Sequence, residues 1–155
     1  MFSSRSNLAR NARCYGIVAL AFTFTLLLAM PAFADVRILS SGGGVVGTYL
    51  DFFNKVRASG ERVVIDGPCL SACTLVLGTI PRNRICVTSK AVLGFHAPYL
   101  VDKNGKTFRS REITKAMNAA YPANVRAWIK RHGGLSSNLI YLKGNELRSL
   151  YPRCS

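Results

Sequence analysis

Acid is scarce in this chain. Seven Asp and Glu residues stand against 21 Lys and Arg, a formal net charge of +14 over 155 residues, and no acid precedes Asp35. There are only two histidines, and the cysteines keep none of the usual zinc spacings, so a zinc site is not expected, nor any other metal or cofactor. Neither a helix-turn-helix pattern nor an aromatic platform accompanies the positive charge, which excludes specific reading of nucleic acid. The basic residues are scattered along the chain. The charge therefore reads first as a solvated surface, with an anionic envelope surface as the partner it would suit. No internal repeat and no low-complexity tract is present.

What the chain does have begins at its start. Arg5, Arg10 and Arg13 precede an apolar run from Ile17 to Met30, and Pro31-Ala32-Phe33-Ala34 follows. A basic stretch, an apolar stretch and a small-x-small site are the three parts of a secretory signal. The apolar run is short for a spanning helix, which needs about 20 residues. Residues 1–34 are therefore expected to be a signal peptide, and 35–155 a single domain. Losing the three leading arginines leaves 18 basic against 7 acidic residues, or +11. The expected location is the periplasm or the exterior.

Cysteine supports that compartment. Beyond the leading segment, Cys69, Cys73, Cys86 and Cys154 form an even set, as two disulfides in an oxidising space would require. Three connectivities are possible. Cys69–Cys73 with Cys86–Cys154 is preferred: one bridge would brace the turn described next, and the other would tie the C-terminus to the core.

The chain is organised around Val63-Val64-Ile65-Asp66-Gly67-Pro68-Cys69-Leu70-Ser71-Ala72-Cys73-Thr74-Leu75-Val76-Leu77. A β-branched apolar run reads as a buried strand, Gly67-Pro68 breaks it, and the apolar stretch after Ser71 starts a buried helix reaching roughly Gly78. Before it, a strand from Val36, a Ser40-Ser41-Gly42-Gly43-Gly44 loop and an amphipathic helix ending at Gly60 make a βαβ unit with parallel strands. After it come short strands at 85–88 and 91–96 and a hairpin around Asp102-Lys103-Asn104-Gly105. Helices follow at 111–120, starting at Ser110, at 123–132, and at 145–150. The class is α/β.

Strand, sharp turn with serine, helix: this is how several hydrolase folds hold a nucleophile clear of the sheet. A serine hydroxyl needs a base within hydrogen-bond reach and donors for the oxyanion. His96 ends a strand and is the candidate base. Ala72 keeps a backbone N–H beside Ser71, and the glycine triplet lets backbone amides approach a substrate closely. His132, at a helix end before two glycines, reads as a stabiliser of that helix terminus. Trp128 reads as core.

From Val36 to Pro98 these residues resemble the Clp-type serine peptidases of the Clp protease/crotonase-like superfamily. Ser40-Ser41-Gly42-Gly43-Gly44-Val45-Val46 resembles that family's Asn-Ser-Pro-Gly-Gly-Val-Ile loop. Gly67-Pro68-Cys69-Leu70-Ser71-Ala72 resembles its Gly-x-Ala-Ala-Ser-Met elbow, and Phe95-His96-Ala97-Pro98 its Ile-His-Gln-Pro. The resemblance implies a spiral of βαβ units, with a mostly parallel sheet and C-terminal helices. It implies a serine hydrolase acting on a peptide or protein, with Ser71 as nucleophile, His96 as base and the N–H groups of Gly44 and Ala72 as oxyanion hole. The family's triad aspartate falls on Leu139 here. Adjacent Asn138 is the substitute the resemblance suggests, with Asp102, Asp66 and Glu146 as other candidates. The family's first strands and helix are missing before the glycine loop, so a bare sheet edge is expected, and with it a homo-oligomer or a covering partner. The competing expectation is a binding module that has kept the fold and lost catalysis.

Overall fold

The computed structural model describes residues 34–155, and the expected signal segment falls almost wholly outside them. The described chain is mixed α/β, with small sheets and five helices. Strand β1 (Asp35–Ile38) leads through the glycine loop into helix α1 (Val46–Ser59), and β2 (Arg62–Ile65) returns parallel to β1. Phe53 and Val56 bury the apolar face of α1, flanked by Val46, Tyr49 and Leu50. Gly60, at φ 83°, ends the helix in the left-handed conformation that glycine adopts without a steric penalty. Arg84 reaches across to the same terminus and donates to the carbonyls of Val56, Arg57 and Glu61. Two carbonyls that the helix cannot pair internally, Val56 and Arg57, are thereby satisfied, together with that of Glu61 just beyond it.

Val63, Val64 and Ile65 of β2 are all buried, as befits a strand covered on both faces. β2 pairs parallel with β4 (Ile85–Val87), giving the order β1-β2-β4. The two edges of this sheet differ. The C-terminal residues run along β4: Val87 N–H donates to Pro152 O, Cys154 N–H donates to Val87 O, and the Cys86–Cys154 disulfide locks them together. Among the described residues β1 has no neighbour beyond β2.

The break at Gly67-Pro68 does more than turn the chain. Its next three residues form a strand, β3 (Pro68–Leu70), which pairs parallel with β5 (Val92–Phe95) in a second sheet. Pro68 is tolerated because it is the first residue of the strand. β5 is flanked on its other side by β8 (Ile140–Lys143), antiparallel, a strand the sequence pattern did not announce. Only Leu142 of β8 is buried, so its apolar periodicity is too weak to read, and a long-range pairing defines it. β6 (Leu100–Val101) and β7 (Thr107–Phe108) make the expected hairpin, with Asp102 Oδ1 accepting from the N–H groups of Asn104 and Lys106.

Helices α3 (Arg111–Ala120), α4 (Ala123–Arg131) and α5 (Gly144–Leu150) follow the expected boundaries closely. Ser110 caps α3 by accepting from Ile113 N–H. The elbow helix differs from expectation: residues Ser71–Leu75 form a 3-10 turn, and only Val76–Thr79 (α2) is α-helical. Two constraints tighten it. Thr74 Oγ1 donates to Ser71 O, and the Cys69–Cys73 disulfide closes the loop from the other side. The core runs continuously from Phe53 through β2 and β5 to Trp128 and Leu147. Among the described residues no helix is long and apolar enough to cross a membrane.

Candidate active site

Ser71 stands where β3 ends, at φ +55°, the one non-glycine residue with positive φ in the described chain. Left-handed backbone at such a residue costs about 1–3 kcal/mol and persists only when the surroundings enforce it. The enforcement is visible. Thr74, fully buried, donates its hydroxyl proton to Ser71 O at 2.7 Å. With that proton committed, Tyr121 OH must be the donor to Thr74 Oγ1, also at 2.7 Å. Burial then pushes the Tyr121 phenol up to about 12. The disulfide between Cys69 and Cys73 brackets the serine.

Gly43 completes the elbow. At φ +88° it packs so tightly that an added Cβ would lie 2.5 Å from Ser71 Cβ and 2.7 Å from Leu70 O. Only glycine fits there. The loop is held by Ser41, whose backbone pairs with β3 through Ser41 N–H to Pro68 O and Leu70 N–H to Ser41 O. Its side chain accepts from Gly43 N–H and meets Tyr49 OH at 2.7 Å. Among the described residues, neither Gly44 N–H nor Ala72 N–H donates to another protein group. Ala72 lies at the start of the 3-10 turn, where an amide has no internal partner.

β5 delivers the histidine. His96 Nε2 lies 2.7 Å from Ser71 Oγ, and His96 Nδ1 lies 2.7 Å from Ala97 O. A carbonyl can only accept, so Nδ1 of the neutral ring carries the proton, and Nε2 is left to accept from the serine hydroxyl. That is the tautomer a general base requires. Both side chains are half-buried, reachable by a substrate yet partly shielded from water. Phe95 stacks edge-on against Tyr121, so the tyrosine that steadies the serine also packs against the strand that presents the histidine.

The third position differs from expectation. Asn138 is exposed and its bonds run to Ser136: its N–H donates to Ser136 Oγ and its carbonyl accepts from the same hydroxyl. It makes no hydrogen bond to His96, and the Ala97 carbonyl occupies the place proposed for it. The segment does come close, since Ala97 N–H donates to Ser136 O. The remaining acids are engaged elsewhere. Asp66 accepts from Thr88 and pairs with Arg37; those two hydrogen bonds, Thr88's first, hold its carboxyl below the usual aspartate range. Asp102 is spent in its hairpin, and Glu146 lies 3.6 Å from His132. Leu139 points its side chain at Gly94 on β5.

Sequence reasoning missed the supporting residues: Gly43 as the tight contact, the Tyr49–Ser41 brace, and the Thr74–Tyr121 pair. Gly43 sat within the glycine triplet, while Tyr121 is 47 residues from Thr74 with no pattern to link them. His132 accords with its expected role, with Nδ1 on Trp128 O and the ring stacked on Trp128. Both disulfides pair as preferred. Among the described residues no cluster of three metal-ligating side chains occurs. No protein-family model matches the chain, and no curated protein matches it.

Proposed function

We propose that the chain is an exported serine hydrolase that cleaves peptides through an acyl-Ser71 intermediate, on a small variant of the Clp/crotonase-like spiral. The observation that carries it is the 2.7 Å contact between Ser71 Oγ and His96 Nε2, made by a serine held in strained backbone geometry. Ser71 Oγ attacks the scissile carbonyl carbon and its proton passes to Nε2. The tetrahedral oxyanion is met by Gly44 and Ala72 N–H, and collapse expels the amine, which takes the proton from the imidazolium. Water repeats the sequence to release the acid. A groove of about 560 Å³ between β1 and α1, lined by Val36, Ile38, Leu39, Phe52 and Ser41, runs beside the glycine loop. Its apolar lining and the open edge of β1 suit an extended peptide, which would add to the sheet by backbone hydrogen bonds. The same edge would serve a second copy or a covering partner. Two disulfides support an oxidising location, the periplasm or beyond.

A second reading, a binding module without catalysis, is favoured by the Ala97 carbonyl. A carbonyl fixes the tautomer but carries no full negative charge to stabilise the imidazolium. A fluorophosphonate probe separates the two. The hydrolase reading expects a covalent adduct on Ser71 under native, oxidised conditions, lost in Ser71→Ala and strongly slowed in His96→Ala. No adduct on the wild-type chain would leave the binding module.

A further inference from the structure

A cleft of about 700 Å³ lies between α3, α4 and the Gly133-Gly134 turn, built from none of the residues of the elbow or the β1 groove. Arg111 and Lys115 are one turn apart on α3, and Arg126 and Lys130 one turn apart on α4, so each helix turns a cationic pair to the cleft. Four of its eleven lining residues are Lys or Arg, against 21 of 155 in the chain, so the charge is concentrated here. No carboxylate lines it. Glu112, the one acid on α3, is turned back to accept from Ser110 Oγ at the helix start. Among the described residues Arg111, Lys115 and Lys130 form no ion pair, and Arg126 donates only to the Tyr121 carbonyl.

Like charges four residues apart on one helix face repel and destabilise the helix. Two such pairs facing one cleft, with no acid between them, are electrostatically uncompensated in the protein alone. A single carboxylate would leave most of that charge unmatched. A phosphate group carries about −1.5 to −2 at neutral pH, and its oxygens match the guanidinium fork in bidentate fashion. We propose that this cleft is a binding site for an anion bearing at least two phosphate groups, gripped between the cationic pairs of α3 and α4. Asn118 and Leu135 give the same cleft an amide and an apolar surface for the scaffold that joins the phosphates. The site is independent of the hydrolase reading.

Anions with two or more phosphate groups come from soluble polyphosphates or from lipid headgroups, and two probes distinguish them. Isothermal titration of the purified chain with tripolyphosphate reads the soluble source. Co-sedimentation with phosphatidylcholine vesicles containing cardiolipin, whose headgroup carries two phosphates, scored as the difference from phosphatidylcholine alone, reads the lipid source. The proposal expects saturable binding of at least one probe, weakened ten-fold or more in Lys115→Glu/Lys130→Glu. The control Lys55→Glu/Lys103→Glu removes the same net charge from exposed sites elsewhere and should change affinity less than three-fold. The milder Lys115→Gln/Lys130→Gln should weaken binding and flatten its salt dependence, which covers the case that charge reversal disturbs α3 and α4. Saturation by neither probe, or equal weakening in the cleft and control variants, would overturn the proposal.

Discussion

The two histidines sit in two corners of the molecule and make the same first contact with different consequences. Each bonds a backbone carbonyl through Nδ1, His96 to Ala97 and His132 to Trp128. They part at Nε2. His96 faces a serine hydroxyl at 2.7 Å, within a half-buried elbow of strained backbone. His132 faces Glu146 at 3.6 Å, exposed, against the end of an ordinary helix. Histidine chemistry is thus decided by what the second nitrogen meets and by how rigidly that partner is held. At the α4 end the partner, Glu146, is an exposed surface acid, and such pairs contribute little. At the elbow Thr74, Tyr121, Gly43 and a disulfide all converge on one residue.

Removing each imidazole is the sharpest contrast. His96→Ala should slow adduct formation at Ser71 by about 10³-fold, the scale of a lost general base, while His132→Ala should leave it within two-fold. Time-resolved mass spectrometry of the fluorophosphonate adduct reads both. Equal effects would erase the distinction drawn between the two corners.

Glycine sharpens it further. Gly43 and Gly133 both have positive φ, yet a Cβ on Gly43 would strike the elbow while a Cβ on Gly133 meets nothing within 4 Å. Gly133→Ala should cost about 1 kcal/mol of backbone strain alone. Gly43→Ala should cost roughly 3 kcal/mol or more and slow the adduct about 10²-fold, because Ser71 itself must shift. Denaturant melts beside the labelling assay separate the two contributions.

Alkaline titration reads the phenol behind the serine. Burial raises Tyr121, and likewise Tyr151, from 10.0 to about 12. The folded state therefore keeps neutral phenols where the unfolded chain has lost those protons. Their contribution is complete below pH 10 and declines as pH rises from 10 to 12, by about 1.4 kcal/mol per pH unit for each group. Tyr121→Phe should remove its share of that slope and slow labelling, because Thr74 loses its donor. A phenylalanine variant with an unchanged alkaline slope would detach Tyr121 from the elbow.

The smallest effect concerns the strain. Ser71→Gly should be about 1 kcal/mol more stable than Ser71→Ala, since glycine adopts φ +55° freely, and both should be unreactive. Equal stabilities in urea would mean that the backbone at this position stores nothing.

Much of this architecture was legible beforehand, because the signals were local. The helix over Val46–Ser59 followed from apolar spacing and Gly60, α3 from its Ser110 cap, and the hairpin from Asn104-Gly105. The Ser71–His96 pairing rested on the resemblance of the elbow and of Phe95-His96-Ala97-Pro98 to one family's motifs, and on a histidine that ends a strand. β3 and β8 were not legible. Pro68 argued against a strand, and β8 offers a single buried residue; each exists because β5 lies beside it. The third partner of His96 was sought among side chains, and a main-chain carbonyl leaves no mark in residue identity.

By itself the order of amino acids determined the local elements, the cysteine set and the two side chains, Ser71 and His96, that the candidate site is built on, because capping, periodicity and residue chemistry act over a few positions. Only the tertiary structure decided that Gly43 touches the serine, that Tyr121 reaches Thr74 across 47 residues, and that four cations share one cleft. Those facts depend on the distance between segments far apart in the chain, which packing sets.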